Sequence, residues 1–355
     1  MNIKSLLLGS AAALAAVSGA QAADAIVAAE PEPMEYVRVC DAFGTGYFYI
    51  PGTETCLKIG GYVRFQVDGR SDFDLTGADA GYRTNTRGQV AVEAKNDTEF
   101  GTLASKITLR ANTNDPVRGT DFYLEETYLQ LGGLRVGQFY NYFDNGLPGE
   151  TVLSDGGPGA GGFGFAGDTL NNSIRYTYDA GSFSVYGQVD AFNSEAGWKT
   201  DDAGTADEIG VNGVITGKFG GVTLDFFAGY DFDTEDAAFA STLTAAIGPG
   251  SLGIFAAYST GPNGYYDFAE WTVGAEYAIK VTDKFSIAPG AQYWDNIAVV
   301  DGDFDGGDAW RVGVTADYKI TSNLTTKATI NYTDVDNGVD SADRWDGFLR
   351  LQRSF

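Results

Sequence analysis

Histidine is absent from the chain, and cysteine occurs only as Cys40 and Cys56. Without histidine, a Ser–His–Asp triad, a Cys–His pair and the usual zinc sites cannot be assembled. No catalytic centre, metal or cofactor is therefore expected. Long apolar runs are missing as well. Beyond residue 22 no stretch reaches the roughly 18 apolar residues of a membrane-spanning helix, which excludes a helical membrane protein. Basic residues are scarce, with 23 Lys and Arg against 48 Asp and Glu and a formal net charge of −25. That balance argues against nucleic acid as a partner, because phosphate binding needs basic surface. It also argues against docking on anionic lipid head groups.

The amino terminus reads as a signal peptide over 1–22. Lys4 supplies the positive start, Leu6 to Val17 the apolar run, and Ala20-Gln21-Ala22 the small-x-small cleavage pattern. The alternative, a membrane anchor, would need about 20 apolar residues. Lys4 is the only charged residue in this leader, so the remainder carries 22 basic and 48 acidic residues, a net charge of −26. An exported chain meets an oxidising compartment, which makes a Cys40–Cys56 disulfide the default reading and two buried thiols the weaker one. Closing a loop of about 15 residues would contribute about 3 kcal/mol in the chain-entropy model.

What is abundant is aromatic and small: 20 Tyr, 23 Phe and 48 Gly. That composition, with no long helical period, predicts many strands and many turns. Period-two alternation is plain. Leu57, Ile59, Gly61, Val63, Phe65 and Val67 form one face of a strand, and Lys58, Gly60, Tyr62, Arg64, Gln66 and Asp68 the other. About sixteen such segments follow: 57–68, 82–95, 101–113, 121–131, 134–142, 172–179, 182–193, 207–219, 222–233, 238–247, 251–259, 268–280, 284–295, 309–320, 324–335 and 344–355. Most have the length of a tilted strand that crosses a bilayer, about 9–11 residues.

The connections alternate long and short. Gly132-Gly133, Ala180-Gly181 and Gly220-Gly221 are tight turns, whereas 69–81, 143–171, 194–206 and 296–308 are long loops. Short periplasmic turns and long external loops are the signature of an outer-membrane barrel, and a soluble sandwich has no reason to keep that rhythm. Charges avoid the apolar face, where one costs about 2–4 kcal/mol at mid-membrane. The fourth strand, with Glu125, Glu126 and Gln130, breaks this rule, and burial of its outer face against another protein is the one explanation its sequence offers. Phe100, Tyr142, Phe219, Trp271, Trp310, Tyr332 and Trp345 fall near strand ends, as interfacial girdles would. The expected fold is an all-β, 16-stranded antiparallel transmembrane β-barrel over 57–355, preceded by a periplasmic-side segment, 23–56, that holds the disulfide.

The inward positions carry Arg64, Arg83, Arg87, Lys106, Arg110, Arg175 and Arg350. Charges in a barrel interior require water, and about 16 strands enclose an aqueous channel. The longest loop, 143–171, holds Asp144, Glu150, Asp155 and Asp168 around a glycine-rich stretch. Loops of this length are usually functional or disordered. This one is expected to fold into the lumen, so that its carboxylates face the basic wall and a transverse field sorts solutes by charge. Acidic loops at the mouth predict a weak preference for cations. Asp301-Gly302-Asp303-Phe304-Asp305-Gly306 resembles the start of a calcium loop, but Val312 stands where a bidentate Glu is needed. It is better read as an acidic hairpin tip. The chain stops on Phe355, an aromatic at the end of an alternating strand, which reads as a barrel-insertion signal.

Three segments carry a family resemblance: Tyr36-Val37-Arg38-Val39-Cys40-Asp41-Ala42-Phe43-Gly44, Phe48-Tyr49-Ile50-Pro51-Gly52-Thr53-Glu54-Thr55-Cys56, and Gly60-Gly61-Tyr62-Val63-Arg64. They resemble the general porins of alphaproteobacteria, the rhizobial and Brucella type. The resemblance covers everything after the leader, and the family's cysteine pair falls on Cys40 and Cys56. It implies a homotrimer in the cell outer membrane, among its lipid and lipopolysaccharide, with an inward-folded third loop and passive diffusion of small hydrophilic solutes. The main alternative is a solute-specific channel, which would use an aromatic path such as Tyr62, Tyr186, Phe192 and Phe255. A barrel enzyme is disfavoured by the missing histidine. A purely structural surface barrel would not conduct ions. A plugged active transporter needs 22 strands.

Overall fold

A computed structural model of the chain describes residues 38–114, 122–144, 146–153, 169–192 and 209–355. The expected leader, 1–22, lies outside them. Sixteen antiparallel strands make one closed sheet. The first eight are β1 Cys56–Arg70, β2 Gly81–Thr98, β3 Gly101–Asn114, β4 Tyr123–Leu131, β5 Leu134–Tyr140, β6 Leu170–Asp179, β7 Phe183–Ala191 and β8 Ile209–Phe219. The second eight are β9 Val222–Asp231, β10 Asp236–Ile247, β11 Gly250–Ser259, β12 Trp271–Lys280, β13 Phe285–Asp295, β14 Asp308–Thr321, β15 Leu324–Asp336 and β16 Ser341–Ser354. Each pairs with its neighbour in sequence, and β16 returns to β1 in a register that runs from Asp346↔Arg70 to Ser354↔Tyr62. Closure leaves no edge, which is the condition for placing a sheet in a bilayer. No helix among the described residues is long and apolar enough to cross a membrane.

The period-two reading translates directly into two faces. On β1, Ile59, Val63 and Phe65 are exposed on the outside while Gln66 and Asp68 are buried on the inside. On β15 and β16, Ile330, Leu349 and Leu351 face out, and Asn331, Asp346 and Arg350 face in. The outer aromatics gather near the long-loop ends of their strands: Trp271 with Tyr293 at 5.3 Å, and Tyr332 between Trp310 and Trp345 at 5.2 and 5.0 Å. Tyr142 departs from the expected girdle. It is buried in the lumen, stacked on Phe227 at 5.1 Å.

The irregular fourth strand has a local cause. The β3–β4 register shifts between Ile107 and Leu109, which pair with Thr127 and Leu124. One residue of β3 therefore opposes Glu125 and Glu126 together, a β-bulge. It turns both carboxylates inward, where Glu125 meets Arg110 and Glu126 meets Lys106. Gln130 joins them inside by accepting from Arg135. The outer face of β4 thus remains apolar, and the burial against another protein that its sequence suggested is not required.

The link from β9 to β10 is a four-residue turn, 232–235, close to the short connection between the expected strands 222–233 and 238–247. The acidic tip at Asp301-Gly302 closes a small hairpin between Val299–Val300 and Asp303–Phe304. Its turn places both Asp301 and Gly302 at positive φ.

Residues 39–55 fold against the short-turn ends of β1 and β2. Cys40 and Cys56 are joined with Cα atoms 5.9 Å apart, and both are buried with Tyr47. Tyr47 Oη donates to Glu93 Oε2 at 2.6 Å, and Lys58 and Lys95 lie over its ring at 5.5 and 5.0 Å. Three buried residues make a small core, so the crosslink matters here. Reduction is expected to cost the segment about 3 kcal/mol and to release it while the barrel persists. Limited proteolysis with and without reductant checks this. Equal protection of residues 39–55 in both states would contradict it.

Candidate functional site

The lumen is divided by the third external loop, whose described part spans Tyr142–Asp144 and 146–153. Phe143, Leu147, Val152 and Leu153 are buried inside the barrel. Space for the loop is made by glycines on the inner wall. A Cβ at Gly313 would fall 1.9 Å from Asn331 Oδ1 and 2.7 Å from Thr151 Oγ1, and one at Gly274 would fall 2.7 Å from Val152. Side chains at these positions would hold the loop off the wall.

One side chain gathers the loop backbone. Glu276 on β12 is 1 % exposed. Its Oε2 accepts the Gly149 N–H at 2.6 Å, and its Oε1 accepts those of Thr151 and Val152 at 2.7 and 2.8 Å. Backbone amides buried away from water need partners, and a carboxylate is the strongest neighbour they can have. Further attachments spread the loop across the wall. The Glu150 N–H donates to Thr315 Oγ1 at 2.9 Å, Thr151 Oγ1 donates to Asn331 Oδ1 at 2.9 Å, and Tyr142 Oη shares a 2.7 Å hydrogen bond with Thr242.

A second inward loop was not legible in the sequence. Residues 260–270 fold back into the barrel above β7–β11. Asn263 Oδ1 accepts the N–H groups of Tyr265 and Tyr266 at 3.0 and 3.2 Å. Tyr265 Oη donates to the buried Asp190 at 2.8 Å, as does Asn212 Nδ2 at 2.6 Å. Burial and the adjacent Asp190 carboxylate push the Tyr265 hydroxyl well above the ordinary tyrosine range, so it stays a donor. Phe143 packs on Phe227 and Tyr266 at 5.0 and 5.9 Å, and Phe192 packs on Tyr265 at 5.0 Å. Phe192 and Phe255 thus belong to packed filling of the β7–β11 side rather than to an aromatic path. Tyr62 and Tyr186 instead flank Arg64 and Arg175, at 4.9 and 4.2 Å.

The opposite side, β1–β6 with β16, carries the basic wall. Arg83 pairs with Asp68 at 2.8 Å, Lys106 with Glu126, and Arg110 with Glu125. Arg64 Nε donates to Gln352 Oε1 at 2.9 Å and Arg87 Nε to Asn112 Oδ1 at 2.7 Å. Arg175 Nε donates to Gln188, and Arg350 Nε to Gln66 at 2.7 Å. Of the four loop carboxylates, Asp155 and Asp168 lie outside the described residues, and Asp144 is exposed at the end of a short 3-10 turn. Glu150 is buried against Lys327 Nζ at 2.8 Å and Arg350 Nη1 at 3.6 Å. Arg350 and Glu150 are thus brought into contact as expected. Phe355 sits at the seam between β16 and β1, where its N–H and C=O exchange hydrogen bonds with Gly61 at 3.0 and 3.1 Å.

Several participants escaped the sequence reading. Arg135 on β5 faces inward, as its alternation with Leu134 and Val136 would have revealed. Glu276 was legible as an inward acid, but nothing local to it announces its partner in a distant loop.

A family model described as Porin subfamily matches residues 24–347. The chain is 46 % identical over 362 residues to outer membrane protein IIIA of Rhizobium leguminosarum bv. viciae, covering 96 % of this chain and 92 % of the relative. It is 36 % identical over 387 residues to porin Omp2b of Brucella canis, covering 100 % of both. Among solved structures, the outer membrane channel DcaP of Acinetobacter baumannii matches with a TM-score of 0.65 at 14 % identity, over 86 % of this chain and 99 % of that one. The trimer form of OmpT of Vibrio cholerae matches with a TM-score of 0.59 at 16 % identity, over 85 % and 100 %.

Proposed function

The chain belongs to the porin family whose model spans most of its length, and from that premise we propose how this outer-membrane porin meters what it passes. The protein is a passive, water-filled channel of the outer membrane. Its narrowest passage lies between the inward third loop and the wall of β1–β6 and β16. The observation that carries this reading is the seating of the loop backbone on Glu276 inside a closed sixteen-stranded barrel. Arg64, Arg83, Arg87, Lys106, Arg110, Arg175 and Arg350 form the basic side of the passage. Among the described residues, Asp144 and Glu150 stand on the loop side, with Glu150 tied down by Lys327 and Arg350. Aromatic side chains pack against the inner wall of β7–β11, on the side away from the basic residues. The role of the channel is transport of ions and small hydrophilic solutes without catalysis.

The working form is a homotrimer set in outer-membrane lipid and lipopolysaccharide, a reading supported by the trimer form of the structurally similar OmpT. Residues 1–22 are removed on export, 23–56 remain on the periplasmic side, and Phe355 serves barrel insertion. Purified protein in a planar bilayer is expected to give large, stable conductance steps that arrive in threes. Reversal potentials in a salt gradient then read selectivity, for which the acidic external loops predict a weak preference for cations. A folded barrel that conducts no ions would overturn the channel reading.

A further inference from the structure

Arg135 on β5 and Arg175 on β6 are direct cross-strand partners on the inner wall. Like charges placed directly opposite destabilise a sheet; some cations of this wall are met by carboxylates, as in Arg83–Asp68 and Lys106–Glu126, while the cross-strand pair Arg64 and Arg87 bonds to the amides of Gln352 and Asn112. At Arg135 and Arg175 no described carboxylate lies within ion-pairing distance of either guanidinium. Each is held by a neutral amide instead. Gln130 Oε1 accepts from Arg135 Nε at 3.0 Å and from Nη2 at 2.8 Å, and Gln130 is itself anchored to the turn through Gly132 O at 3.1 Å. Gln188 Oε1 accepts from Arg175 Nε, while Tyr140 O accepts from its Nη2 at 3.1 Å.

Aromatic rings fix the planes. Arg135 lies over Tyr128 at 4.4 Å, and Arg175 lies over Tyr186 at 4.2 Å. Both lie over the ring of Phe139, at 5.4 and 4.9 Å, and that ring is fully buried. Stacking and amide bonds hold a guanidinium without neutralising it. They use the Nε edge of each group, and Nη1 of both meets no acceptor among the described residues. The result is two oriented guanidiniums on neighbouring strands, with Asp190 reached from Arg175 only through Gln188 and no described carboxylate within ion-pairing distance of either. Planar forks of this kind match carboxylate and phosphate oxygens.

We propose that Arg135 and Arg175 form an oxyanion-binding site on the channel wall, which holds solutes bearing a carboxylate or phosphate group as they pass. Arg135 follows the Gly132-Gly133 turn closely, while the Arg175 guanidinium reaches Tyr140 O at the far end of β5. The site rests on the porin reading but concerns solute binding rather than the existence of the pore.

The test is single-channel current through the full-length protein in potassium chloride, titrated from either side with inorganic phosphate or with succinate. Both anions are expected to interrupt the wild-type current in a saturable way. Each arginine lost should weaken this binding about tenfold, the factor that one charge-assisted hydrogen bond supplies. Arg135→Gln and Arg175→Gln are the test variants. Arg135→Lys, which keeps charge but loses the fork, should weaken binding less than Arg135→Gln. Lys280→Gln, which removes a positive charge at an exposed strand end, should leave binding unchanged. Interruption by phosphate alone would restrict the site to tetrahedral oxyanions, and by succinate alone to carboxylates. Wild-type channels that conduct without interruption by either anion would overturn the site while leaving the porin reading intact. Equal interruption in wild type and variants would also overturn it. Absence of conducting steps in the wild type would instead strike at the porin reading.

Discussion

Replacement of Glu276 by alanine is expected to widen the pore. The side chain accepts three backbone N–H groups from the third loop, and it is buried where water cannot substitute for it. A hydrogen bond to a charged group contributes about 1.5–3 kcal/mol. Three at the lower figure correspond to about a thousandfold shift between seated and unseated loop, before any allowance for the remaining bonds of Glu150, Thr151 and Tyr142. The loop's aromatic contacts would hold its first turn, at Phe143, while the segment 149–152 leaves the wall. Larger single-channel conductance, with more open-channel noise, is the expected record. Glu276→Gln should fall between the two, because the amide oxygen can still accept while its nitrogen cannot. Conductance equal to wild type in Glu276→Ala would show that this loop is not the element that narrows the passage.

Asp346→Leu is expected to lower the stability of the barrel by about 3–5 kcal/mol, the cost of removing one partner from a buried ion pair. Asp346 is 2 % exposed, with Arg311 Nη2 at 2.7 Å and Arg344 Nε at 3.7 Å, and both arginines are buried as well. Asn331 Nδ2 approaches the same carboxylate at 3.4 Å. Leucine would leave two inward guanidiniums with their carboxylate gone, across the seam that joins β14, β15 and β16. Arg344 also lies over Phe73 at 5.0 Å, so the first external loop should loosen with it. The measurement is the urea midpoint of the refolded barrel in detergent. Asp346→Asn should shift it less. An unchanged midpoint in Asp346→Leu would mean that water, rather than the carboxylate, stabilises these arginines.

Much of this architecture was legible along the chain. Alternation of residues such as Ile59, Val63 and Phe65 with Tyr62, Arg64 and Gln66 sets two faces, because successive side chains of a strand point in opposite directions. A bilayer enforces that pattern strictly, so sixteen strands and a charged interior could be read without knowing any contact. The signal fails where a local irregularity or a distant partner decides the outcome. Glu125 and Glu126 looked like an error until the bulge opposite Ile107–Leu109 turned both inward, and a bulge is a property of the pairing rather than of either strand. Tyr142 has the composition of an interfacial anchor, yet it sits in the lumen because its loop turns in.

The amino-acid sequence by itself determined the class of the protein, the number and faces of its strands, the cysteine pair and the basic side of its interior. These follow from periodicity and composition, which act within one strand or one hairpin. Only the tertiary structure decided what the interior does. It brought Glu276 to a loop more than a hundred residues earlier, packed the 260–270 loop against the inner wall of β7–β11, and set Arg135 opposite Arg175. Those arrangements depend on closure of the sheet, which brings residues far apart in the chain onto neighbouring strands and facing walls of one lumen, so that their partners are set by the closed barrel rather than by the local sequence.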